Sequence, residues 1–426
     1  MSLTEHLQFA ERGDAQAKSV PTRTPVASAA AEQRPLKVLQ VVDSLGMGGA
    51  ETWLIELLRH WRSQGCPVQA DILATSGRPG ALDEEAYALG AQIHYLPFGR
   101  RSLPTFASGF RRILREGGYD AIHDHQDRVS GWHYLIGHGR LPAVRVTHVH
   151  NPAYQIRNNY GVTASRRLAS QAGKVLVARY ATHIIGTSRE AITAYGFDEP
   201  AFRRKPKAAV YCGLDPALFV ADPAARASMR AEFGWPDDAA VVLFAGRFDA
   251  SPDLGHPRNH KNSGFAVQVA IACAQQDPRI RFVFAGQFSG ATAILRARID
   301  AAGVGDRIVF AGVRRDIGRL MGGVDALFFP SRAEGLGMVA VEAQAAGLPV
   351  LTSTGVPREC VVIPELVRFL ELDAGPEAWR DALLAMLRAP RVDSAEANAR
   401  VAASPFAIAN SARSLAEIYG SARLRG

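Results

Sequence analysis

Short runs of consecutive apolar residues recur along the chain, separated by stretches in which apolar positions return every three or four residues. The runs are Lys37–Val42, Val68–Leu73, Ile93–Leu96, Ala121–His123, Arg145–His148 and His183–Gly186, then Ala240–Gly246, Arg281–Gly286, Ile308–Ala311, Ala326–Phe329 and Val350–Thr352. A strand buried on both faces reads as a continuous apolar run, and a helix lying on a sheet reads as the wider period. Strands alternating with helix-length segments predict right-handed crossovers and mostly parallel sheets. The alternation pauses over Val210–Asp238, which holds Tyr211-Cys-Gly-Leu-Asp-Pro216 and a helix near Ala224–Phe233, and then resumes. The expected architecture is therefore α/β, with two Rossmann-like domains, 35–208 and 209–404, facing a central cleft. The terminal stretch 405–426 reads as a further helix. Residues 1–34 are rich in Ala, Ser, Thr, Gln and Pro without periodicity and read as a disordered leader.

Open α/β sheets bind ligands beyond the carboxyl ends of their strands, which makes the residues after each run the candidates for chemistry. Phe328–Thr352 is the richest such stretch. Pro330 stops a strand, Gly335, Leu336 and Gly337 form a turn, good helix formers follow from Met338, and Gly347 with Pro349 ends the helix. Backbone N–H groups in the turn can approach a ligand, and the helix start favours a phosphate. Glu334 precedes that helix and Glu342 lies about one turn into it, so two carboxylates share one crevice. Such a pair accepts hydrogen bonds from vicinal hydroxyls, as in ribose or a hexose. Strand 37–42 leads into Gly46-Met-Gly48-Gly49-Ala-Glu51, a second glycine turn opening a helix, without the dinucleotide spacing. Strand 241–247 ends in Arg247, with Lys261 beyond a loop.

The glutamates of this stretch, separated by seven residues, resemble the signature of the family 4 retaining glycosyltransferases of the GT-B fold. The resemblance spans about Leu36–Tyr419 and implies a terminal helix, 405–426, that crosses back to the first domain, the alternative being a helix that simply ends the chain. It implies that Glu334 contacts the transferred sugar, that the amides of Gly335, Leu336 and Gly337 hold a pyrophosphate, and that Glu342 binds the ribose of a nucleotide. Gly48 and Gly49 are similar to the family's GGAE turn, which faces the donor across the cleft. Arg247 and Lys261 match the cations that hold the donor diphosphate. Loop 249–260 is longer than the family spacing, which leaves Arg258 as a substitute for Lys261. His125 matches the histidine beside the transferred sugar, His150 resembles another histidine on the acceptor side, and base recognition is expected near Val313. The implied function is retaining, hexosyltransferase-like transfer from a nucleotide-sugar to a glycan or lipid-linked acceptor, in exopolysaccharide or lipopolysaccharide synthesis. No cofactor is implied, and metal independence is expected.

Two H-x-H pairs, His123/His125 and His148/His150, sit at expected strand ends, where alternate side chains share a face. They leave open a metal-dependent hydrolase. Further alternatives are a nucleotide-sugar epimerase or hydrolase of the same fold and a non-enzymatic binding scaffold.

Composition narrows the picture further. With 426 residues, 47% of them apolar and 21% charged, the chain is long enough for two or three cores. The formal charge of +8 suits nucleotide or anionic lipid. No basic tract interleaved with aromatics supports nucleic-acid binding. Four scattered cysteines and a charged N-terminus point to the cytoplasm. The basic amphipathic stretch 104–117 is read either as a helix packed on the sheet or as a peripheral contact with an anionic inner-leaflet surface.

Overall fold

The computed structural model of the chain describes residues 34–151, 163–220, 222–251, 253, 256 and 259–423. The expected leader, Arg34 apart, lies outside the described residues, as does Arg258.

Two sheets, parallel in every strand pair, organise the rest. The first contains β1 (Leu36–Val42), β2 (Val68–Ala74), β3 (Ile93–Tyr95), β4 (Ala121–Asp124), β5 (Val144–Val149), β6 (His183–Gly186) and β7 (Lys207–Ala209), in the order β3-β2-β1-β4-β5-β6-β7. The second contains β8 (Ala240–Ala245), β9 (Ile280–Ala285), β10 (Ile308–Gly312), β11 (Ala326–Phe329), β12 (Val350–Ser353) and β13 (Val367–Leu370), in the order β10-β9-β8-β11-β12-β13. In both sheets the order reverses beside the first strand, which opens a crevice at its carboxyl end. This is the two-domain GT-B architecture. The short edge strands β7 and β13 were not among the expected runs.

Apolar cores cover both faces of each sheet, as parallel sheets require. The helix Ile408–Gly420 belongs to the first domain's core. Its Ile408, Ala412, Leu415 and Tyr419 pack with Trp53 and Trp61 of the helix Gly49–Ser63. The two strands of chain that pass between domains are tied together: Leu214 N–H donates to the Phe406 carbonyl at 2.9 Å and Ile408 N–H to the Leu214 carbonyl at 2.8 Å. In the helix Leu103–Gly117, Phe106, Phe110 and Leu114 are buried against the sheet, leaving Arg111, Arg112 and Arg115 on the exposed side. The apolar face is thus committed to the core. Among the described residues no helix is long and apolar enough to cross a membrane.

Candidate functional site

The C-terminal wall of the cleft is built from charges. Beyond β8, Asp249 turns inward and its carboxylate accepts the backbone N–H groups of Lys261 at 3.1 Å and Ser263 at 2.7 Å. This grip brackets Asn262, held at φ +58°, and starts the helix Ser263–Gln276. It also aims Lys261, whose Nζ donates to Glu334 Oε1 at 2.7 Å and stands 5.1 Å from the centre of the Phe329 ring. Burial raises the carboxyl of Glu342 up to about 7, with the charge of Lys261 pulling it back. One lysine thus acts on both carboxylates. Burial lowers the neighbouring His260 ring, Asp249 and Glu334 oppose that shift, and Arg247 and Lys261 add to it. The charges of Asp249, Glu334, Arg247 and Lys261 thus all act on this one imidazole.

The turn after Glu334 reaches the other domain. A Cβ on Gly335 would overlap the carbonyl oxygen of His150 and stand 3.2 Å from Thr187 Oγ1, so only glycine allows this approach. Gly337 adopts φ +87° and precedes the helix Met338–Ala345, whose N-terminus has no side-chain cap. The leading N–H groups of that helix therefore keep their partial positive charge. Met338 packs against the cores of both domains. Val313 follows β10 and is half exposed.

On the facing wall, Gly48 caps the helix Gly49–Ser63, and the Glu51 carboxylate folds back over it to the helix's own start. Burial raises Glu51, its own backbone N–H lowers it, Asp43 raises it and Arg247 lowers it. That last interaction crosses the cleft. Beside this turn the register of β4 and β5 sets the two H-x-H pairs together. His125 Nδ1 lies 2.8 Å from His150 Nε2, and His123 Nε2 lies 3.0 Å from His148 Nδ1. Ring nitrogens of His123, His125 and His148 fall within 4.8 Å of one another, close enough for a shared ion. Both nitrogens of His123 and of His125, however, are engaged in hydrogen bonds. Burial depresses all four rings, His150 down to about 3.

Several of these residues escaped the sequence reading. Glu51 had a local signal, a glutamate three residues after a helix-capping position, which is the spacing of a capping box. Asp249 had none, since its partners lie across a loop. Glu359 ties the domains by accepting the backbone N–H of Arg189 at 3.1 Å and the hydroxyl of Tyr211 at 3.0 Å. Nothing in the local sequence marks it.

Comparison with known proteins bears on the family and the fold. Residues 47–217 match the family described as Glycosyltransferase Family 4, and residues 239–389 the family described as Glycosyl transferases group 1. EpsF of Bacillus subtilis, named as a glycosyltransferase, is 28% identical over 349 residues, covering 82% of this chain and 86% of EpsF. The D-inositol 3-phosphate glycosyltransferase of Xylanimonas cellulosilytica is 28% identical over 415 residues, covering 89% of this chain and 93% of that one. Among solved structures, Anabaena Alr3699/HepE in complex with UDP and glucose superposes with a TM-score of 0.68 at 20% identity, over 91% of this chain and 100% of the other. A glycosyltransferase from Rickettsia africae gives a TM-score of 0.71 at 17% identity, over 92% and 100%. At these identities the structural likenesses bear on the fold.

Proposed function

The chain belongs to the family 4 glycosyltransferases of the GT-B type, and from that premise we propose that it transfers a sugar, with retention, from a nucleotide-sugar to a hydroxyl of a glycan or lipid-linked acceptor. The observation that carries this reading is the Lys261–Glu334 pair at 2.7 Å, with Glu342 beside the same lysine. It is a cation and a carboxylate neutralising each other next to an uncapped helix start. A diphosphate exchanges for that pairing: its oxygens take Lys261, Arg247 and the helix N–H groups, and Glu334 is released to accept hydrogen bonds from sugar hydroxyls. Glu342 takes the ribose hydroxyls, the amides of Gly335, Leu336 and Gly337 line the pyrophosphate, and backbone groups near Val313 meet the base. The Gly48–Gly49 turn faces the donor from the opposite wall.

In the transfer step the bond from the sugar's anomeric carbon to the phosphate oxygen breaks, and its electron pair leaves with the nucleoside diphosphate. The acceptor hydroxyl attacks the same face of the oxocarbenium-like sugar, and its proton passes to a donor phosphate oxygen. Fixed cations stabilise the leaving oxygen in the way a metal otherwise would. His125 lies beside the sugar and His150 on the acceptor side. Kinship with EpsF favours a role in cell-surface polysaccharide synthesis, carried out in the cytoplasm and, for a lipid-linked acceptor, at the inner membrane face. UDP bound in a protein of the same fold makes uracil the first base to try. Thermal-shift screening against UDP-, GDP- and ADP-sugars, followed by transfer assays with the stabilising donor, tests the reading. A donor consumed equally fast without any acceptor would point instead to hydrolysis or epimerisation.

A further inference from the structure

Behind His125 a line of hydrogen bonds runs through the first wall to the terminal helix. His150 Nε2 meets His125 Nδ1 at 2.8 Å, and His125 Nε2 meets Gln40 Oε1 at 2.9 Å. Gln40 Nε2 donates to the Tyr419 hydroxyl at 3.1 Å. That hydroxyl lies 2.5 Å from His123 Nδ1, and His123 Nε2 lies 3.0 Å from His148 Nδ1. Gln40, Tyr419, His123 and His148 are wholly buried. The two end atoms, His150 Nδ1 and His148 Nε2, have no hydrogen-bond partner among the described residues.

Each neutral imidazole carries one N–H and one lone pair, so the line has a sense. The Gln40 carbonyl oxygen requires an N–H on His125 Nε2, which leaves Nδ1 to accept from His150 Nε2. At the other end of the amide, the NH₂ group donates to the Tyr419 oxygen, so the tyrosine's own proton goes to His123 Nδ1. His123 then donates through Nε2 to His148. One amide orientation therefore sets four tautomers, and turning that amide over reverses every bond in the line. Both nitrogens of His125 are occupied in either sense. The end nearest the other domain is His150, whose carbonyl Gly335 abuts. Its Nδ1 is an acceptor in the present sense and a donor in the reverse.

We propose that Gln40 and Tyr419 are positioning residues for sugar transfer: through this line they dictate which ring nitrogens of His125 and His150 carry protons, and so couple the terminal helix to the cleft. The role in transfer rests on the function proposed above, whereas the line itself does not. Its test is ¹⁵N NMR of the full chain labelled at histidine, alongside kinetics. In the wild type, His123, His125, His148 and His150 should each be a single neutral Nε2–H tautomer from pH 5.5 to 8. Tyr419→Phe keeps the ring but cuts the line, so it should give mixed tautomers and a kcat lower by about tenfold, the worth of one hydrogen bond. The donor KM should stay within about twofold, since the donor's own contacts remain. Gln40→Glu offers acceptors to both neighbours, so it should keep His125 and His150 as Nε2–H while turning His123 and His148 to Nδ1–H. Rings titrating near the free-histidine value in the wild type would overturn the proposal. So would a Tyr419→Phe variant that melts earlier yet keeps the wild-type tautomers and kcat. An inactive wild type would remove the sugar-transfer reading, while transfer accompanied by mixed tautomers would remove the line alone.

Discussion

Two helix starts meet the cleft, Gly48–Gly49 from the first domain and Gly337–Met338 from the second, and the chain treats them differently. Neither start has a side-chain hydrogen-bond cap, but the first is covered by the carboxylate of its own Glu51, while the second lies beside the Lys261–Glu334 pair. The surrounding walls follow the same division. The first wall carries four imidazoles, His123 and His148 buried and His125 and His150 half-buried, held neutral and hydrogen-bonded in two pairs. The second carries Arg247, Lys261, Glu334 and Glu342, of which Lys261 and Glu334 pair directly while Lys261 also acts on Glu342. A neutral network whose inner nitrogens already hydrogen-bond to one another gains little from an arriving ion. A cation paired with a carboxylate can exchange that partner for phosphate at small net cost, because one charge-assisted hydrogen bond replaces another. Affinity for an anion is therefore expected on the second wall and orientation of hydroxyls on the first.

The most severe way to break this contrast is to remove both cations. Arg247→Ala with Lys261→Ala should lower kcat/KM for the donor by about a thousandfold, on the scale of losing fixed electrostatic stabilisation. A loss under about tenfold would mean that the diphosphate lies elsewhere. Next is Glu334→Ala, for which turnover should fall by roughly a hundredfold while the melting temperature barely changes, because the residue sits in a turn and leaves only Lys261 unpaired. Near-normal transfer would contradict the placement of the sugar.

Glu342→Gln separates binding from stability. The donor KM should rise by about tenfold, the worth of one hydrogen bond. The folded carboxyl titrates at about 7, against an ordinary 4.5. Above pH 7 it is ionised in both states, and the folded protein bears the burial cost of the charge. As pH falls from 7 to 4.5 the folded state takes up the proton first, and that cost disappears. The Glu342→Gln substitution should therefore raise the melting temperature at pH 8 and make no difference near pH 4.5, as calorimetry across that range can check.

The first wall should behave in the opposite way. Its histidines have folded pKa values depressed below 6.5, to about 3 at His150. Stability is full above the unfolded value and is lost as pH falls below 6.5, because the unfolded chain binds protons that the folded one refuses. A melting temperature that declines between pH 6.5 and 5, with a slope corresponding to more than one proton, is expected. A flat profile would place charged histidines in the wall. This is the smallest of the effects at neutral pH and the one that sharpens the contrast most.

Much of this organisation was legible from the residues because parallel strands buried on both faces leave unbroken apolar runs. β7 and β13 were not, since a three- or four-residue edge strand such as Lys-Ala-Ala carries almost no pattern. The terminal helix showed an apolar stripe, which predicts burial but not what buries it. In the site, Glu334, Glu342, Arg247 and Lys261 stood out by position relative to strand ends. Gln40 and Tyr419, 379 residues apart, act only through each other and the histidines between them. No local spacing can announce such a contact, and the same holds for Asp249 and Glu359.

The most direct measurement is titration of the wild-type chain and the Arg247→Ala/Lys261→Ala variant with UDP, GDP and ADP, followed by calorimetry. At least one nucleoside diphosphate should bind the wild type and lose at least about a hundredfold in affinity on the variant. Equal affinity for both proteins, or no binding of any of the three to the wild type, would contradict a diphosphate held by the charged wall.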